Sequence, residues 1–591
     1  MSRRSRQLLA LLVVCGLTTS AARAAEPLEL RWVYLQQNLQ VAENLPKIEA
    51  ILRRAAKSGY NGVVLADYKL NILDRVPDHY FKNAAKFREL CRELKLEIVP
   101  TVAGFGYSSG ILAHDPNLAE GLPARDVPFI VKAGKVVLDV DGKNLIPGDF
   151  ENLKGDAFSG WGFQDEPGQG TFADSTVKHG GKTSLRIENA KGVEGNRRVS
   201  KPIKVRPWSQ FHASVWIKTE DFESAGETKM FAMSPAGRVL SHSNLGVKKD
   251  QDWTQHHVVF NTLDSTEVRF YLGAWGCRGG KLWMDDATLI EEPFVNLVRR
   301  PGCPLVVKSN STEPHGASRG FDNAPKTAKD DSSQTTFIEG RDFAELRDPK
   351  LGTSPWAGEF DVYHEPPTLT LLPGSQIKDG QKLRVSYYHA VTIYDNQVPC
   401  SLTEPKVFEI VEDQVRRVQK LFEPQTYFLS HDEIRVANWS EPDRASGKTA
   451  GQQLADNVRR CAEIVRRINP QAKLCIWSDM FDPHHNAVKD FYLVNGDLTG
   501  SWEGLPKDTI VINWNSGKPA PSLKHFATQG HSQGHSQVLA GYYDAPPDRI
   551  RNWLDTGKDF PNSLRGAMYT TWQSNFTDLE KFATAAWGGT K

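Results

Sequence analysis

The stretch YFLSHDEIRVANWS, residues 427–440, joins a short apolar strand to a cluster of ionisable groups. Three apolar residues are followed within four positions by His431, Asp432 and Glu433. Adjacent carboxylates oppose each other's ionisation, so a pair of them at the end of a buried strand requires an explanation. A surface turn in which Glu433 pairs with Arg435 is the simplest alternative to a reactive site. The rest of the chain has to decide between the two.

Strand and helix patterns alternate on both sides of this stretch. KLCIWSD, TIVINWN, QVLAGYYD and LRGAMYTTW follow it, and LRWVYL, NGVVLAD and EIVPTVAG stand near the start of the chain, most of them separated by amphipathic helical segments. Such alternation is typical of βα units around a parallel sheet. Three early and five late strands make eight. The pattern therefore predicts an α/β fold, an interrupted (β/α)8 TIM barrel in which YFLSHDE is strand four.

Two β-rich segments interrupt the predicted barrel after strand three. Residues 143–293 hold many short alternating strands and turn signals, which predicts an all-β sandwich that folds on its own core. Residues 294–396 are predicted to be a further β-rich insertion or a barrel extension. The barrel itself would comprise residues 25–142 and 397–591. The block from GDFENLKGDAFSGW to GGKLWMDDATLIEE resembles the jelly-roll carbohydrate-binding modules of families 4 and 9.

The first 24 residues have the order of a secretory signal peptide. Three Arg within six residues precede an apolar run over residues 8–17 and the small-residue site Ala22-Arg23-Ala24. That run is too short to span a bilayer, and no later stretch approaches the roughly 20 apolar residues that a spanning helix needs. The sequence therefore predicts a secreted or periplasmic protein with no membrane span.

Charge and residue composition indicate which kinds of molecule the protein binds. The net charge of +1 over 591 residues gives no reason to expect a nucleic-acid partner. The cysteines show no CxxC spacing, and the adjacent His484 and His485 lack the i, i+4 spacing of helical ligands, so no metal site is predicted. The 15 Trp residues are a high content, and an indole offers a sugar ring a flat apolar face with one polar edge. The composition favours an oligosaccharide or glycan substrate.

Acids and aromatic residues recur where the predicted strands end. The C-terminal ends of barrel strands meet at one mouth, where barrel enzymes hold their catalytic residues. The candidates at that mouth are Asp67 after strand two, His431, Asp432 and Glu433 after strand four, Trp477 and Asp479 after strand five, Trp514 after strand six, Tyr542 and Asp544 after strand seven, and Trp572 after strand eight. Helix capping by the isolated Asp residues and core packing by His431 are the structural alternatives.

In order and spacing these residues resemble glycoside hydrolase family 20, the β-N-acetylhexosaminidases. Asp432-Glu433 matches the family's adjacent acids after strand four, and Tyr542-Tyr543-Asp544 matches its Tyr-x-Asp after strand seven. The family's pocket residues correspond to Asp67, Trp477, Trp514 and Trp572. Its Pro-Gly-His turn after strand three is replaced here by GFGYSSG, and its strand-one Arg has no clear counterpart. Family 123, which also uses an Asp-Glu pair, is a close alternative.

The resemblance implies retaining, substrate-assisted removal of GlcNAc or GalNAc without a cofactor or metal. The 2-acetamido oxygen of the substrate would attack the anomeric carbon, and an ionised Asp432 would orient the acetamido group. Glu433, with a raised pKa, would protonate the leaving oxygen. One alternative is a conventional retaining glycosidase with Glu433 as acid/base and Asp544 as nucleophile. A non-catalytic glycan-binding protein is the other.

Overall fold

The structure, a computed structural model, describes residues 28–189, 194–224, 226–241, 243–310, 334–351, 360–394, 397–529 and 534–589. The predicted signal peptide, residues 1–24, lies outside the described residues. Across the described ranges, no helix combines the length and the apolar character that crossing a bilayer requires.

Eight strands close into a barrel. In chain order, barrel strands one to eight are Leu30–Leu35, Gly62–Leu65, Glu97–Val102, Thr426–Leu429, Lys473–Trp477, Ile510–Asn513, Ser536–Tyr542 and Leu564–Thr570. Every neighbouring pair is parallel, and strand one closes on strand eight with Trp32 opposite Met568. The predicted eight-stranded parallel barrel is therefore confirmed, and Asp432 and Glu433 follow its fourth strand.

Helices cover the outside of the barrel. Those of eight residues or more in the described chain are Asn44–Lys57, Asp78–Glu93, Pro405–Phe422, Ala450–Ile468, Pro519–Thr528, Ile550–Gly557 and Leu579–Trp587. Helix Ala450–Ile468 begins at a capping box of Thr449 and Gln452, and it buries Leu454, Val458 and Val465 on the face towards the strands. Shorter helices and 3-10 turns are Tyr68–Asn71, Ser109–Leu112, Pro116–Leu118, Glu441–Ala445, Asp479–Phe481, Ser501–Gly504 and Pro547–Arg549.

The connection between strands five and six differs from the others. Residues 478–509 are all described, and they form two 3-10 turns and the two-residue strand Leu493–Val494 in place of an α-helix. Leu493–Val494 pairs in parallel with Val436–Ala437, which lies in the loop after strand four. The loops after strands four and five are therefore hydrogen-bonded to each other beside the mouth.

A nine-stranded sheet assembly is inserted between barrel strands three and four. Its strands are Phe163–Gln164, Thr171–Asp174, Ser184–Glu188, Gly195–Lys204, Gln210–Ser224, Thr228–Met233, Ser243–Asn244, Gln251–Asn261 and Glu267–Glu291, all paired antiparallel. A small hairpin, Leu153–Lys154 with Ala157–Phe158, precedes it. We call this insertion the sandwich; its jelly-roll topology stays a prediction.

A second β-sheet corrects one predicted boundary. It consists of Leu122–Lys132, Lys135–Leu138, Leu297–Val298, Val306–Ser309, Thr336–Phe337, Leu369–Thr370 and Lys382–His389. Residues 122–138 were assigned to the first barrel segment by sequence, but they pair with Lys382–His389 and with each other. The reason is local: Ala133 and Gly134 both have positive φ, which is the geometry of a tight hairpin turn.

The sandwich shares its apolar core with barrel loops. Val215 and Phe260 of the sandwich belong to the same buried cluster as Val436, Trp439 and Leu493. These last three residues lie in the loops after barrel strands four and five. The expectation of an insert with a core entirely its own is therefore wrong. Apolar contact instead ties the sandwich to the loops that border the mouth.

Candidate active site

The loop after strand four is fixed by its neighbours on both sides. Phe105 N–H, from the loop after strand three, donates to the Ser430 carbonyl at 3.0 Å. A Cβ on Gly106 would lie 1.7 Å from the Asp432 carbonyl oxygen, so only glycine permits this approach. Glu433 has a left-handed backbone, with φ of 50°. Its N–H donates to Asp479 Oδ2 at 2.8 Å, which holds that uncommon conformation.

Each oxygen of the Glu433 carboxylate has a side-chain partner. Tyr107 OH donates to Oε2 at 2.5 Å, and Arg435 Nη2 lies 2.8 Å from Oε1. The Glu433 side chain is 24% exposed, whereas that of Arg435 is 4% exposed. The ion pair expected of a surface turn is therefore present, but it lies within the barrel mouth. Tyr107 belongs to the GFGYSSG turn, and sequence reasoning missed it because that turn was compared only for its absent His.

Asp432 is the acid whose protonation the site perturbs. Ser430 Oγ donates to Asp432 Oδ1 at 2.8 Å. Burial, followed by the charges of Asp479 and Glu433, raises the pKa of Asp432 to about 7. The sequence analysis expected an ionised Asp432 and a raised pKa for Glu433. In the structure the pKa of Asp432 is raised, so its ionised form is disfavoured, because that carboxyl is desolvated and faces two other acids.

Asp479 connects strand five to the loop after strand four. It is fully buried, and its Oδ2 accepts from the Glu433 N–H and from Asn486 Nδ2 at 2.9 Å. Its Oδ1 accepts from Trp514 Nε1 at 3.2 Å. Burial raises its pKa. With three donors on two oxygens, Asp479 positions Glu433 and Trp514, a role different from the sugar contact predicted for it.

Aromatic rings line the inner wall of the barrel at the mouth. The Tyr34 ring lies 5.6 Å from Trp477 and 5.3 Å from Trp572, and the two indoles are 6.2 Å apart. Trp514 is nearly parallel to Tyr543 at 6.2 Å. Trp572 is 47% exposed, whereas Trp477 is buried. The three predicted Trp residues are thus brought together. Tyr34 was missed, although it shares an inward-facing strand side with Trp32.

The tyrosine of the pocket is Tyr543 rather than the predicted Tyr542. Tyr542 packs on the helix side, 4.3 Å from the ring of Tyr569, and its OH contacts Asp578 and Asn575. Tyr543 faces the barrel interior, and within the described residues its buried OH has no hydrogen-bond partner. Positive φ angles at residues 542, 543 and 544 interrupt the inward–outward alternation of strand seven, so the alternation expected from sequence fails there.

Two predicted site residues are structural. Asp67 caps the turn Tyr68–Asn71, and its carboxylate accepts from Lys69 N–H, Leu39 N–H and Tyr80 OH at 2.9–3.0 Å. His431 is fully buried, its Nε2 lies 2.9 Å from Asn457 Oδ1, and burial lowers its pKa to about 4. Neither side chain has a described contact with the acids or rings of the mouth. The capping and core alternatives account for both.

Asp544 holds the exposed Trp at the rim. Its Oδ1 accepts from Thr571 Oγ1 at 2.8 Å, and its Oδ2 accepts from the Trp572 N–H at 3.3 Å. The carboxylate therefore fixes the end of strand eight. Among the described residues there is no group of three or more His, Cys, Asp or Glu that could hold a metal ion.

Comparison with known proteins bears on the second half of the chain. Residues 368–587 match the model of the glycosyl hydrolase family 20 catalytic domain. Barrel strands four to eight, and with them Asp432 and Glu433, lie inside this range. A search of curated proteins finds no match.

Similar solved structures include a family 16 carbohydrate-binding module, which is 17% identical over 25% of this chain and 100% of its own, with a TM-score of 0.20. A second, titled "CBM4 structure and function", is 12% identical over 25% of this chain and 99% of its own, at 0.18. A rhamnosidase from Novosphingobium sp. PP1Y is 10% identical over 93% of this chain and 56% of its own, at 0.30. All three scores lie below the level that indicates a shared fold.

The closed barrel, the paired acids after strand four and the family 20 match converge on one class. The protein is a glycoside hydrolase with a hexosaminidase-like catalytic domain.

Proposed function

We propose that the protein is an exported hydrolase that removes GlcNAc or GalNAc from glycans by substrate-assisted, retaining chemistry. The observation that carries this proposal is the arrangement of Asp432 and Glu433 beside an aromatic wall that includes Tyr543, whose OH has no hydrogen-bond partner in the described part of the chain. Export rests on the signal-like order of the first 24 residues. Sugar rings pack on Trp faces, and polar groups at the edges fix their orientation.

In the first step the acetamido oxygen attacks the anomeric carbon while the glycosidic bond breaks and the leaving oxygen takes a proton from Glu433. The product of this step is an oxazolinium ion. Asp432 accepts the acetamido N–H, and the positive charge that develops there favours its ionised form despite the raised pKa. The buried Tyr543 OH is a suitable donor to the acetamido oxygen. Water, deprotonated by Glu433, then opens the ring.

The surroundings of Glu433 leave its carboxylate accessible while fixing both of its oxygens. Its side chain is 24% exposed, so a leaving oxygen and a water molecule can reach it. Tyr107 and Arg435 hold its two oxygens at fixed positions, which limits the rotation that would otherwise have to be frozen during reaction. In the conventional alternative Asp544 would be the nucleophile. Its Oδ1 accepts from Thr571 Oγ1 and its Oδ2 from the Trp572 N–H, and substrates that lack the 2-acetamido group distinguish this alternative from substrate assistance.

We also propose that the sandwich is a carbohydrate-binding module of jelly-roll type. The support is the sequence resemblance to families 4 and 9 over residues 143–293. Retention of the full chain on a column of immobilised glycan, compared between the wild type and a Trp275→Ala variant, would test whether the partly exposed ring of Trp275 contributes to binding.

Glu433→Gln tests the catalytic assignment. We expect turnover of a substrate with a poor leaving group to fall by roughly 10²- to 10⁴-fold, while a substrate with an activated aryl leaving group is largely spared, because a weakly basic oxygen leaves without a proton. Asp286→Asn, which alters an acid in the sandwich, is the matched control and should retain activity on both. Equal losses on both substrates in the Glu433 variant would contradict the general-acid role.

A further inference from the structure

We propose that Arg238 of the sandwich is a positioning residue for Glu433, acting through Tyr492 and Arg435. The proposal rests on the proposed function, since it assumes that Glu433 is the general acid. It goes beyond that function by assigning the inserted domain a part in the catalytic step itself. The distances along the connection are those of hydrogen bonds and close ring contacts.

The first link runs from the sandwich to the loop after strand five. Arg238 lies in the turn that follows strand Thr228–Met233, where its N–H donates to Ser234 Oγ at 3.1 Å. Its Nε donates to the Tyr492 carbonyl at 2.6 Å, and its Nη2 donates to the Val494 carbonyl at 2.7 Å. One guanidinium thus holds two alternate carbonyls of a loop that lacks a helix to support it.

The second link runs from that loop to Arg435. The Leu493 N–H donates to the Arg435 carbonyl at 2.9 Å. The guanidinium carbon of Arg435 lies 5.2 Å from the centre of the Tyr492 ring, within the range of a cation–π contact. Gln397 Oε1 accepts from Arg435 Nη1 at 2.5 Å, and Gln397 Nε2 donates to the Glu433 carbonyl at 2.8 Å. Tyr492 is therefore one of the groups, together with Gln397 and the Tyr394 ring at 4.9 Å, that orient the buried Arg435 side chain.

The last link is the ion pair of Arg435 with Glu433 Oε1 at 2.8 Å. Tyr492 has a left-handed backbone, with φ of 46°, which an unsupported loop would tend to relax. Without the two hydrogen bonds from Arg238, residues 492–494 should shift. The Arg435 guanidinium would then rotate, and one oxygen of Glu433 would lose its partner. A misplacement of about 1 Å in a reacting group can reduce a rate by up to about 10²-fold.

Arg238→Ala in the full chain tests this connection. We expect kcat on a poor-leaving-group substrate to fall by about tenfold or more, while kcat on an activated aryl substrate stays within about threefold and KM changes little. Arg238→Lys should restore part of the loss, because an ammonium can reach one carbonyl. The leaving-group dependence is the decisive readout, since general destabilisation would lower both rates together.

Two further variants control the experiment. Arg198→Ala removes a sandwich Arg whose Nε donates to Asp165 at 2.7 Å and which has no described hydrogen bond to the barrel loops, and it should leave the leaving-group dependence unchanged. Tyr492→Leu removes the ring over Arg435 and should show the same selective loss on the poor-leaving-group substrate. It therefore tests the connection even if the Arg238→Ala protein does not fold. An unchanged leaving-group dependence in soluble Arg238→Ala or Tyr492→Leu, beside a selective loss in Glu433→Gln, would overturn the coupling alone. Failure of Glu433→Gln itself to show the selective loss would overturn the proposed function as well.

Discussion

Asp285-Asp286 and Asp432-Glu433 are adjacent pairs of acids with a similar local backbone and different hydrogen-bond partners. Asp285-Asp286 lies at a bulge in the sandwich, and Asp432-Glu433 lies at the barrel mouth. In each pair the second acid has a left-handed φ, 46° for Asp286 and 50° for Glu433. The first acid of each pair has a raised pKa caused chiefly by burial. Sequence adjacency alone therefore does not identify a reactive pair.

The partners of the two pairs differ. Asp285 accepts from three backbone N–H groups, those of His179, Gly180 and Asp286, so it serves the turn that packs against it. Asp432 accepts from one side-chain hydroxyl, Ser430 Oγ. A carboxylate with most acceptor positions open beside aromatic rings can bind a substrate, whereas one held by three backbone donors mainly supports the fold.

Substitution of the first acid in each pair should give the largest difference in activity between the two pairs. We expect Asp432→Asn to lower kcat by roughly 10²- to 10³-fold on both activated and poor-leaving-group substrates, because every turnover passes through the charge that Asp432 stabilises. Asp285→Asn should keep kcat per folded molecule within about threefold while lowering the unfolding midpoint in urea. Similar activity losses in the two variants, measured on soluble protein, would remove the distinction between the pairs.

The second-largest effect is expected in how the stability difference between Asp432→Asn and the wild type changes with pH. An Asp whose pKa is raised by folding is destabilising once ionised, so its penalty is absent below the unfolded pKa of about 3.9 and grows as pH rises towards about 7. Asp432→Asn should therefore gain stability over the wild type between pH 5 and pH 8, on the order of 2 kcal/mol after allowance for solvent contact. Urea unfolding at both pH values checks this. A difference that does not vary with pH would show that Asp432 is not strained by its charge.

The donor to Glu433 should give the smallest effect. Tyr107→Phe removes the hydroxyl that donates to Glu433 Oε2, and we expect about a tenfold loss of kcat/KM on poor-leaving-group substrates, which is typical of one charge-assisted hydrogen bond. Tyr542→Phe removes a hydroxyl of the same kind that faces Asp578, and it should change kcat/KM by less than about twofold. Equal effects in the two variants would contradict the assignment of Tyr107 to the site.

The barrel and the acids could be predicted from sequence because their signals are local. Strands such as LRWVYL and KLCIWSD can be recognised as short apolar runs between amphipathic helices, and the positions where they end determine which residues reach the mouth. Asp432, Glu433 and the three pocket Trp residues follow from that rule alone. The rule fails at strand seven, where positive φ from residue 542 turns Tyr543 inward in place of Tyr542.

The remainder of the site depends on contacts between segments that are far apart in the sequence. Local sequence patterns do not predict such contacts. Arg435 lies against Tyr394 and Tyr492, and its pairing with Glu433 is set by loops that sequence analysis places in separate elements. The common core of Val436, Leu493 and the sandwich is equally non-local. The sharing of the sandwich core with barrel loops was not predicted for this reason, since turn signals and alternation describe strands but not what the finished sheet packs against.

The requirement for a 2-acetamido group tests the central claim most directly. Wild-type enzyme would be assayed with aryl β-glycosides of glucose and galactose in matched pairs, with and without the 2-acetamido substituent, and with a thiazoline mimic of the oxazolinium ion as inhibitor. The account predicts a kcat/KM at least about 10²-fold higher for the acetamido member of the preferred pair and competitive inhibition by the thiazoline, because that group is the nucleophile. Equal turnover of the plain glycosides with no inhibition by the thiazoline would contradict it and would favour Glu433 with Asp544 instead.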